Sequence, residues 1–302
     1  MKKPDFFILG APKCGTTSLA EWLREHPRIF MCDPKEPHYF NTDSGHHAAL
    51  SLPHYESFFV DADSSHLAVG EASVWYLVSD VAVGNILAYQ PHARFIVCIR
   101  NPIEMAVSLH DQKRFTGDEP IADFLEAWRA QEGRRNGTLP KPKVCADLKH
   151  FMYGTSCLLG SQLKRLYSQV DTERVMVVVM DDIKSEPSGV YSHVLNFLGV
   201  PDDGRSDFPP SNRAKERRFP WVRTVQRRVH LAKGQLGITS GTGLGRIINT
   251  WNRRQRPRAP LPTETLQILR AYFRDDINLC GELLQRNLSS WLQDADSSQR
   301  RS

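Results

Sequence analysis

No apolar run in this 302-residue chain approaches the roughly 18 residues a membrane-crossing helix needs, so no transmembrane segment is expected. Behind Met1-Lys2-Lys3-Pro4-Asp5 there is no apolar stretch with a small-residue cleavage site, which argues against a secretory leader and makes the cytoplasm the expected compartment. Six cysteines, Cys14, Cys32, Cys98, Cys145, Cys157 and Cys280, include no Cys-x-x-Cys pair and form no His/Cys cluster at zinc spacing. A zinc ribbon and a disulfide scaffold are thereby excluded, and the cysteines read as free thiols. Aromatic residues are not interleaved with the basic ones in the manner of single-strand binding surfaces, and no nucleic-acid module is recognisable. Nucleic acid is not an expected partner.

What is present is ordinary soluble composition, with 40% hydrophobic and 24% charged residues. The length suits one large α/β domain, expected over residues 1–295, with a frayed tail at 296–302. The net charge of +5 is unevenly placed: residues 205–258 hold fourteen Lys/Arg against two Asp/Glu, a local +12 that leaves −7 elsewhere. Such a block suits an anionic cofactor, an acidic acceptor, a membrane surface or an anionic polymer, or is simply a solvated segment.

The most informative stretch is Phe6-Phe7-Ile8-Leu9-Gly10-Ala11-Pro12-Lys13-Cys14-Gly15-Thr16-Thr17-Ser18-Leu19. Four apolar residues make a buried strand, Gly10, Pro12 and Gly15 make a turn, and an amphipathic run follows from Thr16. A helix start offers unpaired N–H groups and the positive end of the helix dipole, so a small-residue loop there can close around a phosphate-type anion. Thr16, Thr17 and Ser18 add hydroxyls and Lys13 adds a cation. Cys14 is either a small residue that lets the loop close or a thiol activated by the helix start. Gly10 and Gly15 have the separation of the nucleotide-triphosphatase loop, but Thr16 stands where its lysine belongs and Lys13 lies inside the loop. That departure weakens a kinase reading.

Further along, Asp33-Pro34-Lys35-Glu36-Pro37-His38-Tyr39-Phe40 is held extended by two prolines, which present its charged residues. Residues 41–65 read as a loop and short helix over the site; His46, His47 and His54 receive no metal. Leu67–Ser73 reads as a short strand ending near Glu71, and Trp75 and Tyr76 follow it as pocket or core aromatics. The strand Arg94–Ile99 leads through Arg100, Asn101 and Pro102 into a helix reaching about Phe115, with Ser108 eight residues beyond Arg100. Ile121–Gln131 reads as a helix, and 134–143 as a long surface loop that gates the acceptor. Tyr153 opens the next helix. Val175–Met180 is an apolar strand closed by Asp181-Asp182, either a magnesium-holding pair or a helix cap. Residues 191–198 end the sheet-forming part, and 262–291 read as a terminal helix.

Pro12-Lys13-Cys14-Gly15-Thr16-Thr17, Lys35-Glu36-Pro37-His38 and the Arg100/Ser108 pair together resemble the sulfotransferase family, most closely its heparan-type and bacterial branches. The resemblance covers residues 5–200 and, less specifically, the last thirty. It implies a three-layer α/β/α fold with a central parallel sheet, of the P-loop nucleoside triphosphate hydrolase type. It implies 3′-phosphoadenosine-5′-phosphosulfate (PAPS) as donor, leaving 3′-phosphoadenosine-5′-phosphate (PAP), with no metal. By the same resemblance Pro12, Lys13, Cys14, Gly15, Thr16, Thr17 and Ser18 hold the 5′-phosphosulfate, Lys13 and Glu36 are catalytic, and Arg100 and Ser108 grip the 3′-phosphate. Glu36 is otherwise a loop carboxylate paired with Lys35, and Arg100 otherwise a strand-end partner of Glu104 or Asp111. Tyr153 reaches the adenine or 3′-phosphate, or is a buried structural tyrosine. Arg213 and Lys215 are further 3′-phosphate candidates, with Arg217 and Arg218 as equals. Family members often carry a lysine where Ala72 stands, which leaves Glu71 as a candidate acceptor-side carboxylate, and residues 205–260, without a clear counterpart among relatives, read as an acceptor-specific insert. The expected acceptor is a hydroxyl or amine of a small molecule, glycan, lipid or peptide, taken by a monomer or homodimer. The rivals are a nucleotide kinase or hydrolase and a non-catalytic binder of anionic polymers.

Overall fold

Three apolar runs set the middle of the sheet. In the computed structural model they form β1 (Phe6–Gly10), β4 (Arg94–Ile99) and β5 (Val175–Val179), joined by β2 (Ile29–Met31) and β3 (Ala68–Ala72). The structure describes residues 2–45, 50–142, 145, 147–209, 215–217, 253–255 and 260–293. All five strands are parallel, in the order β2-β3-β1-β4-β5. Phe6 pairs with Gly70 of β3 on one side and Arg94 of β4 on the other. Every residue of β1 and β3 is buried, as continuous apolar strands covered on both faces require. The expected α/β/α architecture is therefore what the chain adopts.

The order places β1 centrally, with the chain moving first to β3 and β2 and then across to β4 and β5. That reversal leaves a crevice at the carboxyl ends of β1 and β4, where ligands of open parallel sheets bind. The helices are α1 (Thr16–Glu25), α2 (Leu52–Ser57), α3 (Ala82–Tyr89), α4 (Pro102–Thr116), α5 (Phe124–Asn136), α6 (Leu159–Tyr167), α7 (Met180–Ser185), α8 (Pro187–Leu198) and α9 (Thr263–Leu284). In α1, Leu19, Trp22 and Leu23 are buried at helical spacing. In α9, Leu269, Phe273 and Ile277 do the same, and this helix packs on α6 and α4. Asp276 of α9 accepts the N–H groups of Gly160 and Ser161, both at 2.8 Å, and so caps α6, whose own first residues supply no side-chain cap.

Three readings of the sequence change here. Strand β2 was not expected; three residues are too few to show a period. Arg134 does not begin a surface loop: α5 continues to Asn136, and the Arg134 guanidinium is buried against Glu119 in a paired contact at 2.7 and 2.8 Å. Asp181 and Asp182 are in the first turn of α7 rather than at its cap, with Asp182 held doubly by Arg286 and Asp181 accepting the Trp291 indole N–H at 3.1 Å. The tail at 296–302 lies outside the described residues, as does most of the basic 205–260 segment, including Arg213 and Arg218. Within it, β6 (Lys215–Arg217) pairs antiparallel with β7 (Arg253–Gln255), and β6 lies beside α4.

Candidate active site

Gly10 and Gly15 shape the loop between β1 and α1. Gly10 has φ 140°, and a Cβ there would stand 2.5 Å from the Val74 carbonyl oxygen; Gly15 has φ 89°, and a Cβ would stand 2.8 Å from Met180 Sδ. Neither position tolerates a side chain. Gly15 is the N-cap of α1 and brings no side chain to the first-turn N–H groups, which keeps that positive end for an incoming anion. Thr16 and Ser18 are buried at the start of the helix. Cys14 is fully buried with Sγ 3.7 Å from Met105 Sδ, and burial pushes its thiol well above the usual range. It packs the loop and is not an activated nucleophile.

Arg100 leaves the end of β4 next to this loop. Its Nη1 donates to the Lys13 carbonyl at 3.1 Å, its Nη2 pairs with Glu104, and its Nε is buried without an acceptor among the described residues. The loop and the arginine thus share one rim, and a buried guanidinium N–H with nothing to bind suits an anion arriving there. Ser108 is buried on α4, and Gln112 lies one turn further on the same helix and accepts from Lys13 Nζ at 2.7 Å.

Glu36 sits across the crevice, on the loop after β2. Its carboxylate is bonded to Lys35 Nζ at 2.9 Å and His38 Nε2 at 3.2 Å. Because a carboxylate only accepts, His38 donates from Nε2. Burial raises the Glu36 carboxyl, but the His38 hydrogen bond and the Lys35 charge outweigh it and hold the group down at about 2. The loop is hung on the segment after β3 through alternate amides: Glu36 N–H donates to the Ala72 carbonyl at 3.0 Å, His38 N–H to Ser73 Oγ at 3.0 Å and Phe40 N–H to the Tyr76 hydroxyl at 3.2 Å. Ser73 Oγ in turn donates to Glu71 at 2.6 Å, as does the Tyr55 hydroxyl at 2.6 Å. Glu71 is wholly buried, and burial raises its carboxyl above the ordinary value. It is closed in by Ser73 and Tyr55 rather than presented as an acceptor-side carboxylate, and it fixes Ser73.

Lys13, Glu36 and His38 are three of the four described non-glycine residues with positive φ, at 67°, 68° and 52°. Such conformations cost about 1–3 kcal/mol each and persist where surrounding contacts enforce them, so they single out the two loops facing the crevice. Sequence reasoning placed Lys13, Glu36, Arg100 and Ser108 in this region; the structure joins Lys13 to Arg100 at the ends of β1 and β4, sets Ser108 on α4, and hangs Glu36 on the end of β3 through the Ala72 carbonyl. It missed His38, Ser73 and Gln112 as working residues, although Gln112 stands four positions from Ser108 on one helix face. Tyr153 is buried and gives its hydroxyl to Glu119 at 2.7 Å, in the network that also holds Arg134. Lys215 is on β6.

The model of the sulfotransferase domain matches residues 3–210. The chain belongs to this family. Human bifunctional heparan sulfate N-deacetylase/N-sulfotransferase 2 is 25% identical over 210 residues, 65% of this chain and 22% of the relative, and the mouse protein of the same name is 32% identical over 207 residues, again 65% and 22%. The sulfotransferase domain thus spans about a fifth of the length of these curated relatives. Among solved structures, a sulfotransferase from Alicyclobacillus acidocaldarius superposes with a TM-score of 0.72 at 22% identity, covering 97% of this chain and all of that one. That likeness shows a shared fold.

Proposed function

We propose that this sulfotransferase domain moves the sulfuryl group of PAPS to a hydroxyl or amine of a glycan-type acceptor, releasing PAP. The observation that carries this reading is the contact of Arg100 with the Lys13 carbonyl, which puts a phosphate-gripping guanidinium and the amino end of α1 on one rim. The loop N–H groups and the hydroxyls of Thr16, Thr17 and Ser18 suit the phosphosulfate end, while Arg100 and Ser108 suit the 3′-phosphate. Membership of the family supports the donor, and the heparan-type relatives support the acceptor class.

PAPS supplies an activated sulfur whose bond to the 5′-phosphate oxygen breaks as the acceptor atom bonds to it. Lys13 stabilises the negative charge that gathers on that leaving oxygen, with help from the loop amides. Glu36 accepts the acceptor's proton. A carboxylate held at about 2 is a weak base toward a resting alcohol, so transfer occurs as the oxygen–sulfur bond forms and acidifies the acceptor. His38 and Lys35 keep Glu36 ionised and aimed. The test is incubation with sulfur-labelled PAPS and a panel of glycan, lipid, phenol and peptide acceptors, with and without chelator. Label transfer matched by PAP release is expected. Absence of transfer from PAPS, together with chelator-sensitive consumption of ATP, would overturn the reading.

A further inference from the structure

Asn41 is fully buried, yet neither Oδ1 nor Nδ2 of its amide meets a hydrogen-bonding partner among the described residues. Leaving a buried polar group unsatisfied costs about 1–3 kcal/mol, so native chains keep one where a water or a ligand completes it. Asn41 lines a cavity of about 10 Å³ together with Asp43, Ser44, Trp75, Lys149 and His150. That volume admits one water-sized group. Two of the cavity's lining side chains, Lys149 and Asp43, are 34% and 22% exposed.

The cavity adjoins the machinery described above from two directions. Asn41 follows directly on the loop that carries Glu36 and His38, and Trp75 comes from the segment whose residues 72, 73 and 76 support that loop. On the other side Trp75 stacks on His150 at 3.9 Å, His150 Nδ1 lies 3.3 Å from Lys113 Nζ, and the residue before Lys113 is the Gln112 that holds Lys13.

The chemistry of the opening selects its occupant. Asp43 and Lys149 pair with each other at 2.6 Å, and Asp43 also accepts from Ser79 Oγ at 2.5 Å, so the charges at the edge are already compensated. What is left is one amide that must both donate and accept. A single ammonium only donates and a carboxylate only accepts, each leaving half of the amide unpaired; a hydroxyl accepts from Nδ2 and donates to Oδ1 with one atom.

We propose that the Asn41 cavity is an acceptor subsite that takes a second, non-reacting hydroxyl of a polyhydroxylated, sugar-like acceptor while the reacting group faces Glu36. The proposal rests on the sulfuryl-transfer reading and narrows its acceptor to one anchored at two points, with the Trp75 ring as the apolar wall.

The test compares initial rates on a free-amine glucosamine–glucuronate hexasaccharide and on 2-naphthol, which has no second hydroxyl, at saturating PAPS. Asn41→Ala and Asn41→Asp are expected to raise KM for the hexasaccharide about tenfold or more, and to shift selectivity toward 2-naphthol by the same factor, with PAP affinity by calorimetry within twofold of the parent. Should the Asn41 variants not fold, Trp75→Leu carries the same expected shift. Equal losses on both acceptors identify a resident water only and overturn the subsite. A parent protein that sulfates 2-naphthol but not the hexasaccharide also overturns it, while leaving sulfuryl transfer intact. A parent that transfers sulfate to neither, and consumes ATP instead, overturns the functional reading itself.

Discussion

Lys13 is held at both ends: its ammonium donates to Gln112 Oε1 at 2.7 Å, and its carbonyl accepts Arg100 Nη1 at 3.1 Å. The side chain proposed to meet the leaving oxygen is therefore braced by α4, and the backbone beneath it by the residue proposed to grip the opposite end of the donor. Lys13→Ala is expected to lower kcat by about 10²–10³, the usual loss when one charge-stabilising donor is removed. Gln112→Ala should reduce kcat less, with KM for PAPS nearly unchanged, in single-turnover measurements with labelled PAPS.

Arg100→Ala should act on donor affinity first. Hydrogen bonds to charged groups are worth about 1.5–3 kcal/mol, so PAP should bind about ten- to hundredfold more weakly by calorimetry. Glu104→Gln, which removes the carboxylate now paired with Arg100, should not weaken PAP. A larger loss in the Glu104 variant than in the Arg100 variant would contradict the assignment.

Glu36→Gln should abolish most turnover while leaving PAP affinity intact. The depressed carboxyl also links to stability. Folded Glu36 binds its proton at about 2 and the unfolded chain near 4.5, so between those values the unfolded state holds more protons. The stabilisation is complete above pH 4.5 and is lost as pH falls toward 2. Acid unfolding of Glu36→Gln, followed by circular dichroism, should show a shallower fall in stability over that window than the parent.

Ser73→Ala removes the acceptor of the His38 amide and one donor to buried Glu71. Faster hydrogen exchange at His38 and a drop in kcat with unchanged KM for PAPS are expected. Ser73→Thr keeps the hydroxyl and should restore both. A loss confined to global stability, with His38 exchange unaltered relative to its neighbours, would remove Ser73 from the support of the loop.

Glu119, Arg134 and Tyr153 form a buried ion pair with a phenol attached. Arg134→Ala leaves a buried carboxylate unpaired and should cost about 3–5 kcal/mol in denaturant unfolding. Tyr153→Phe should cost about 1–3 kcal/mol. Unchanged PAP affinity in Tyr153→Phe would confine this tyrosine to the network; a clear loss would return it to the donor site.

The parallel architecture was legible because apolar runs at 6–9, 94–99 and 175–179 leave little choice but buried strands, and the loop after the first of them carries its own glycines. Lys13, Glu36, Arg100 and Ser108 were legible from spacing combined with resemblance. Ser73 and Gln112 were not, because their contacts to the His38 amide and to Lys13 reach 35 and 99 positions along the chain, and His38 was not because its bond to Glu36 depends on the positive φ of both residues. Arg134 misled for a related reason: arginine beside glycine and proline looks like surface, and only the distant Glu119 turns it inward. Positive φ at Lys13 and Glu36 has no local signature, since neither is a residue that favours it.

Because β1 stands in the centre of the sheet, the proposed reaction would serve its two partners from opposite flanks: Arg100 and α4 from the β4 side, Glu36 and residues 72–76 from the β2–β3 side. On that proposal, substitutions on the β2–β3 flank would retune which molecule is modified while the β4 flank went on reading the same nucleotide, so acceptor choice could drift over evolutionary time with the sulfur source held constant.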